Sequence, residues 1–257
     1  MSEKNIKLVI EYDGTNYSGW QSQDGPNTIQ DEIQEAIFKV TSCNVNLIAA
    51  GRTDAGVHAL GQAANFKIEH RIEPERYKNA INNYLPDDIL IKSSEEVRAD
   101  FNSRKSATYR RYRFLMSPER SALYLHQRWH QPETVQFEKL NDAAKLVLGE
   151  HDFSSFCVTS SLKENNNCKI EDSRWNKTGP LYIYEIRGNR FLHNMVRSVV
   201  GAMVNLSLLR QDQNSRNLTL DDFKNMLDSR SKERAVFTAP PHGLYLVSVG
   251  YSKDQTE

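Results

Sequence analysis

The stretch Gly51-Arg52-Thr53-Asp54-Ala55-Gly56-Val57-His58-Ala59 follows a short apolar run at residues 45–50 and combines an acid with two glycines. Glycine permits positive φ and close approach of backbones, so such a loop can be tight and still leave room for a ligand. In an arbitrary Asp-x-Gly sequence the acid caps its own turn. The nine-residue context, with Arg52 two residues before Asp54, favours instead a carboxylate that is positioned to react.

The composition is that of an ordinary globular protein: 257 residues, 26% charged and 39% apolar. Lys plus Arg and Asp plus Glu both number 33, so a surface for nucleic acid must be a local concentration of basic residues. Three widely spaced cysteines, Cys43, Cys157 and Cys168, favour a reduced protein without a structural disulfide or a zinc site. No stretch has the pattern of a signal peptide or a membrane span, so we expect a cytoplasmic protein.

Apolar periodicity predicts the order β-α-β-β-α-β in the first half of the chain and a looser repeat of it in the second half. The first half is predicted to have strands at residues 6–12, 45–50, 62–68 and 88–92, with helices that open at Thr28 and Pro74. The second half is predicted to have strands at residues 107–116, 181–187 and 244–251, and helices at residues 137–148, 191–208 and 219–227. This order indicates an α+β fold of two ferredoxin-like halves, residues 1–104 and 105–257.

Arg197 is the only formally charged residue between Phe191 and Leu209, in a predicted helix that is otherwise largely apolar. A buried charge is costly unless it is paired. An arginine can also extend its head to water while its stem packs, and this alternative stays open. The sharper interpretation is a pair between Arg197 and Asp54 across a cleft between the halves. Such a pair would keep Asp54 ionised, as a nucleophilic carboxylate requires.

The predicted strand at residues 107–116 carries aromatic and basic side chains. By strand alternation, Arg110 and Tyr112 share one face, and Arg111 and Arg113 share the other. Aromatic rings interleaved with arginines suit the recognition of single bases and phosphates. A plain basic edge strand is an equally good interpretation of this segment alone.

Five motifs resemble those of the TruA family of tRNA pseudouridine synthases. They are the stretch quoted first, Glu11-Tyr12-Asp13-Gly14-Thr15-Asn16-Tyr17-Ser18-Gly19-Trp20-Gln21, Arg110-Arg111-Tyr112-Arg113-Phe114, Phe191-Leu192-His193-Asn194-Met195-Val196-Arg197 and Gly243-Leu244-Tyr245-Leu246-Val247. Their order and spread cover nearly the whole chain, so the resemblance is specific. It implies that the two halves join through one large antiparallel sheet, with helices on one side and the active-site cleft between the halves. Periodicity alone does not distinguish a joined sheet from two separate ones.

The resemblance implies isomerisation of uridine to pseudouridine at positions 38, 39 and 40, in the anticodon stem-loop of tRNA, with no metal and no small-molecule cofactor. It implies Asp54 as the nucleophile, Arg197 as the active-site arginine and Tyr112 as the ring that stacks on the target base. The expected RNA contacts are Arg52, Arg110, Arg111 and Arg113. His58 either contacts RNA or makes a structural hydrogen bond. The resemblance also implies a homodimer in which one tRNA contacts both subunits.

Isomerisation exchanges a C–N glycosidic bond for a C–C bond without redox change, which agrees with a sequence that carries no dinucleotide fingerprint and no P-loop. Attack of Asp54 on the ribose, attack on the base and initial abstraction of a proton are all compatible with the residues. The segment Glu11-x-Asp13-Gly14-Thr15 resembles the phosphatase motif of the haloacid dehalogenase class, but the first acid there is Asp and the required parallel β-α alternation is absent. The more serious alternative is a non-catalytic tRNA-binding protein that uses the same basic groove as a folding aid for tRNA.

Overall fold

The structure is a computed structural model that describes residues 2–25, 27–209, 218–228 and 237–252. In these ranges the chain forms ten strands, mostly antiparallel, and five α-helices, in agreement with the predicted α+β class. None of the helices in the same ranges is long and apolar enough to cross a membrane. Contacts divide the chain into two compact units, one formed by the residues up to Arg110 and from Tyr245 on, the other by Arg111–Leu244.

The first unit follows the predicted order β-α-β-β-α-β. Its elements are β1 (Lys4–Tyr12), α1 (Ile29–Thr41), β2 (Ile48–Ala49), β3 (His58–Ile68), α2 (Tyr77–Asn82) and β4 (Ile89–Val97). β1 pairs antiparallel with both β3 and β4, and β2 pairs antiparallel with β3. Side chains that alternate along β1 and recur along α1 form the core, because one face of each element is apolar. They are Ile6, Leu8, Ile10, Ile29, Ile33 and Ile37, all fully buried.

The strand predicted at residues 45–50 is reduced to the two residues of β2. The amide Nε2 of Gln34 donates to the carbonyl oxygen of Val45 at 2.9 Å, and Nε2 of Gln30 donates to that of Leu47 at 3.2 Å. Because side chains of α1 satisfy these carbonyls, the segment does not need a full strand ladder. The chain leaves β2 directly into the loop at residues 51–57.

The second unit continues from the division at Arg111. Its elements are β5 (Ala107–Ser117, which starts before the division), β6 (Trp129–His130), α3 (Phe137–Leu146), β7 (Gly149–Asp152), β8 (Asn167–Thr178), β9 (Leu181–Gly188), α4 (Met195–Ser207) and α5 (Leu220–Asp228). The strand order is β5-β9-β8-β7. α4 begins four residues later than predicted, because Asn194 has φ +64°, outside the right-handed helical region. β7 and β8 were absent from the sequence prediction.

The last strand, β10 (Leu244–Tyr251), has the predicted bounds and groups with the first unit. Tyr245 and Leu246 pair in parallel with His58 and Ala59 of β3. The predicted halves place this strand in the second half, whereas its ladder with β3 ties it to the first unit. β10 therefore lies beside the end of the loop that carries Asp54. The boundary between residues 104 and 105 and the joining of two ferredoxin-like halves stay predictions.

Candidate active site

Asp54 lies in a tight turn between β2 and β3. Its side chain is partly exposed, whereas Thr53 and Val57 are buried. The backbone N–H of Val57 donates to the carbonyl oxygen of Asp54 at 3.1 Å. Gly56, inside this turn, has φ +76°, a conformation that glycine adopts without steric cost. The turn thus leaves the carboxylate accessible while Thr53 and Val57, on either side of it, are held in the protein.

Two hydrogen bonds from the motif at residues 11–21 fix Thr53, the residue before Asp54. The backbone N–H of Trp20 donates to the carbonyl oxygen of Thr53 at 3.1 Å. The hydroxyl of Tyr12 lies 2.7 Å from the hydroxyl oxygen Oγ1 of Thr53. Both main chain and side chain of Thr53 are therefore anchored, and this restrains the position of Asp54.

Close backbone contact explains two glycines of the same motif. A Cβ atom on Gly14 would lie 2.1 Å from the carbonyl oxygen of Val57. Gly19 has φ +93°, and a Cβ atom there would lie 2.6 Å from the carbonyl oxygen of Thr53. Real Cβ atoms do not approach backbone oxygens so closely. The motif at residues 12–20 can lie directly on the Asp54 turn only because these two positions carry no side chain.

His58, at the end of the Asp54 turn, connects this turn to the motif at residues 11–21. Only 2% of His58 is exposed, and its ring stacks on Tyr245 with a centroid distance of 4.7 Å. Its Nδ1 lies 3.1 Å from the backbone nitrogen of Gly14 and 3.0 Å from Oδ1 of Asp13. An unprotonated Nδ1 accepts from the Gly14 N–H, and a protonated one donates to Asp13. Of the two sequence interpretations for His58, this geometry favours the structural hydrogen bond over an RNA contact.

Arg52 and Arg110, both expected to contact RNA, have different surroundings. Arg52 is exposed, and no interaction of its side chain is found among the described residues. The guanidinium of Arg110 donates from Nη2 to the carbonyl oxygens of Ala50 at 2.9 Å and Arg104 at 2.8 Å, and from Nη1 to that of Ala107 at 3.2 Å. Because these carbonyls occupy the guanidinium, we expect Arg110 to hold the start of the loop rather than to contact phosphate.

In the second unit, Tyr112 is 8% exposed and makes an edge-to-face contact with Phe191 at a centroid distance of 5.0 Å. Arg113, on the opposite face of β5, donates from Nη2 to Oε1 of Glu185 at 2.8 Å. This hydrogen bond lowers the pKa of the Glu185 carboxyl below its ordinary value. Arg111, on the same face as Arg113, is partly buried. The alternation expected for β5 is present, but Arg113 already has an acidic partner within the protein.

Arg197 lies in the first turn of α4 and is partly buried. Its Nη1 donates to Oδ1 of Asn194 at 2.9 Å, and its Nε donates to the carbonyl oxygen of Ala239 at 2.9 Å. The N–H of Ala239 in turn donates to the carbonyl oxygen of Arg197 at 3.0 Å. A Cβ atom on Gly201 would lie 2.4 Å from the carbonyl oxygen of Phe237, so this glycine lets the segment pack against α4. These contacts fix the orientation of the guanidinium and offset the cost of its burial.

The comparisons with known proteins agree with this set of motifs. The family model described as tRNA pseudouridine synthase matches residues 8–104 and 143–252, most of the chain. The chain belongs to the tRNA pseudouridine synthase family. Proteins described as tRNA pseudouridine synthase A are 43% identical in Acetivibrio thermocellus, over 96% of this chain and 100% of the relative, and 39% identical in Caldicellulosiruptor saccharolyticus, over the same shares. One from Thermoanaerobacter sp. is 38% identical, also over 96% and 100% of the two chains. The chain is accordingly an isomerase of this family.

Several residues that hold Thr53 or Arg197 in place, each within its own unit, were not singled out from the sequence. Asn194 gives the guanidinium of Arg197 an acceptor and takes a left-handed conformation, which Asn tolerates better than most residues. The sequence signal that could have found Asn194 is its position just before a helix that carries a single arginine. Tyr12 and Gly201 act through contacts with residues distant in sequence, for which the chain carries no local signal.

The described part of this synthase shows no group of three or more His, Cys, Asp or Glu side chains arranged to hold a metal ion. Cys168 is buried, and desolvation raises the pKa of its thiol to about 12. A thiol in that environment stays neutral near pH 7, so it is a poor metal ligand and a poor nucleophile.

Proposed function

We propose that this synthase isomerises uridine to pseudouridine at positions 38, 39 and 40 of tRNA, in the anticodon stem-loop, with Asp54 as the nucleophile. The observation that carries the proposal is the Asp54 turn, in which a partly exposed carboxylate directly follows the anchored Thr53. Family membership over most of the chain supports tRNA as the substrate.

The reaction breaks the bond between C1′ of the ribose and N1 of uracil and forms a bond between C1′ and C5. The hydrogen on C5 leaves as a proton and N1 gains one, so atoms and charge balance and no electrons are exchanged with a cofactor. The demand on the protein is therefore a positioned carboxylate, a site that lets uracil rotate while detached, and groups that hold the RNA.

A uridine stacked in RNA is inaccessible to a carboxylate and has to leave its stack first. In the proposal Tyr112 stacks on the displaced base, and the edge of Phe191 supports the orientation of its ring. In the proposal Arg197 also pairs with Asp54. Two hydrogen bonds that the Arg197 guanidinium donates, to Ala239 and Asn194, support such a preorganised role. Arg52 and Arg111 contact the RNA.

The proposal includes a homodimer, in which the two copies together form the basic groove for one tRNA, and a cytoplasmic location. A chain with 33 basic and 33 acidic residues has to bind RNA by a local concentration of cations, and a groove shared by two copies would supply one.

The test compares Asp54→Asn with Asp24→Asn, an exposed acid in the same unit, on an unmodified anticodon stem-loop transcript tritiated at C5 of uridine. Because C5 loses its hydrogen, released tritium measures turnover. We expect Asp54→Asn to bind the RNA with nearly unchanged Kd and to release no tritium, and Asp24→Asn to behave as wild type.

Turnover by Asp54→Asn would refute the nucleophile. A wild-type protein that binds the transcript but never releases tritium would favour the second candidate, a non-catalytic tRNA-binding protein. The specific observation in favour of that candidate is the pair of exposed cations, Arg104 and Lys105, on a hydrogen-bonded turn next to the segment that leads to Asp54.

A further inference from the structure

Two consecutive cations, Arg104 and Lys105, are exposed in the turn between β4 and β5. Within the described ranges, neither side chain forms a hydrogen bond or an ion pair. The nearest acid in sequence, Asp100, pairs with Arg98 at 3.1 Å instead. The turn therefore presents two positive charges to solvent without a neighbouring acid of their own.

The backbone of this turn is firmly held. Oδ1 of Asn102 accepts the N–H groups of Arg104 at 3.1 Å and Lys105 at 3.0 Å. The carbonyl oxygen of Ser103 accepts the hydroxyl of Tyr251 at 2.9 Å. The two charges thus start from a preorganised backbone, which lowers the conformational entropy lost when a ligand binds.

Arg110 joins this turn to the loop that carries Asp54. One nitrogen, Nη2, donates both to the carbonyl oxygen of Arg104 and to that of Ala50, so the two backbones lie next to each other. Ala50 precedes Asp54 by four residues, and an extended chain advances at most about 3.6 Å per residue, which limits the separation to about 15 Å. Arg52 is exposed on the same short connection.

The side chains first expected to meet phosphate are in part engaged within the protein. Arg110 binds carbonyl oxygens and Arg113 binds Glu185. With no net charge on the chain, the phosphates that flank the target uridine need other cations close to Asp54. Exposed cations on a rigid turn meet this requirement, because phosphate contacts fix the register of the RNA without reading its sequence.

We propose that Arg104 and Lys105, together with Arg52, form a phosphate-contact patch that binds the tRNA backbone beside the target uridine. This inference rests on the proposed function. In it, Arg110 is a positioning residue that holds the patch against the Asp54 loop, and the partner is RNA recognised by its sugar–phosphate backbone.

The experiment measures Kd for an unmodified tRNA transcript against salt concentration for the double variant Arg104→Gln/Lys105→Gln. The matched control is Arg71→Gln/Arg76→Gln, which removes two exposed arginines of the same unit that follow the opposite end of β3. We expect the slope of log Kd against log salt to fall by about 2, one for each lost phosphate contact. At about 0.15 M salt we expect Kd to rise roughly tenfold or more, and KM to change more than kcat. The control should match wild type in both slope and Kd.

A double variant with the wild-type slope and Kd would overturn the patch, and so would an equal loss in the control, which would indicate only overall charge. Turnover by the wild-type protein is measured on the same transcript as the affinities of the double variant and its control. Absence of wild-type turnover therefore refutes the proposed function, whereas a variant that keeps its affinity refutes the patch alone.

Discussion

The hydroxyl oxygen of Tyr12 lies 2.7 Å from Oγ1 of Thr53, the residue that precedes Asp54. Tyr12 is the last residue of β1, which pairs with both β3 and β4, so this hydrogen bond connects a strand that is paired on both sides to the Asp54 turn. Trp20, in the segment after β1, holds the backbone of the same threonine. The position of the turn is therefore set by hydrogen bonds from β1 and from the segment that follows it.

Tyr12→Phe should lower both stability and activity. Loss of one buried hydrogen bond costs about 1 kcal/mol in the free energy of unfolding. Displacement of Thr53 should reduce kcat roughly tenfold, because small errors in position are costly in catalysis. Urea unfolding and tritium release measure the two effects. The control is Tyr77→Phe, whose buried hydroxyl has no hydrogen-bond partner among the described residues and whose removal should be neutral or stabilising. Equal behaviour of the two variants would contradict a positioning role for Tyr12.

Asn194→Gly should separate the orientation of Arg197 from folding. Glycine adopts φ +64° without strain, so the variant removes the acceptor of the Arg197 Nη1 and keeps the backbone. We expect kcat to fall more than the affinity for tRNA, and the same split, but larger, for Arg197→Met. Asn194→Asp keeps an acceptor oxygen and should retain more activity than Asn194→Gly. If kcat and affinity fall in equal measure in both Asn194→Gly and Arg197→Met, Arg197 is a binding or folding residue instead.

Glu185→Gln should change how stability depends on pH. The carboxyl of Glu185 is 12% exposed and accepts hydrogen bonds from Arg113 at 2.8 Å and Arg174 at 2.9 Å. The Arg113 bond is the main cause of a pKa below the ordinary value of 4.5. A carboxyl with a lowered pKa in the folded state stabilises the fold above its unfolded pKa, and this contribution is lost as pH falls through the folded pKa.

The melting temperature of Glu185→Gln should therefore lie below that of wild type at pH 7, and the gap should close below pH 4.5. Glu35→Gln, in an exposed pair with Lys39 on α1, is the comparison and should leave the melting temperature nearly unchanged, because solvent screens an exposed ion pair. A gap for Glu185→Gln that stays constant from pH 7 to pH 3 would show that the ion pair is not its origin.

Where the boundary of a helix or strand depends on residues close to it in the chain, the sequence predicted that boundary well. α1 begins at Ile29 because the side chain of Thr28 accepts the N–H of Asp31 at 3.3 Å, the capping pattern visible in the sequence. β10 has the predicted bounds because Leu244–Tyr251 is a short continuous run of mostly apolar and aromatic residues. The predicted helix at residues 137–148 ends as α3 at Leu146, within the usual fraying of a helix end.

β8 escaped prediction because its alternation changes phase. Cys168 and Ile170 are buried in one phase, and Ser173 and Trp175 in the other. The register with β9 shifts between Ile170 and Asp172, which marks a bulge or irregularity. One extra residue moves the following side chains to the opposite phase, so a search for strict alternation finds only fragments.

The sequence by itself determined the α+β class, the order of the elements in the first unit and the motifs that identify the family, because these depend on short-range pattern and on residues that are close in the chain. Only the tertiary structure decided the partners of the long cationic side chains. Arg110 meets Ala50 and Arg113 meets Glu185, each across a long interval of sequence. A long, flexible side chain reaches whatever acceptor the fold brings near it, and strand alternation specifies its face but not its partner. For the same reason only the structure identified Arg104 and Lys105 as cations that remain exposed beside the loop of Asp54.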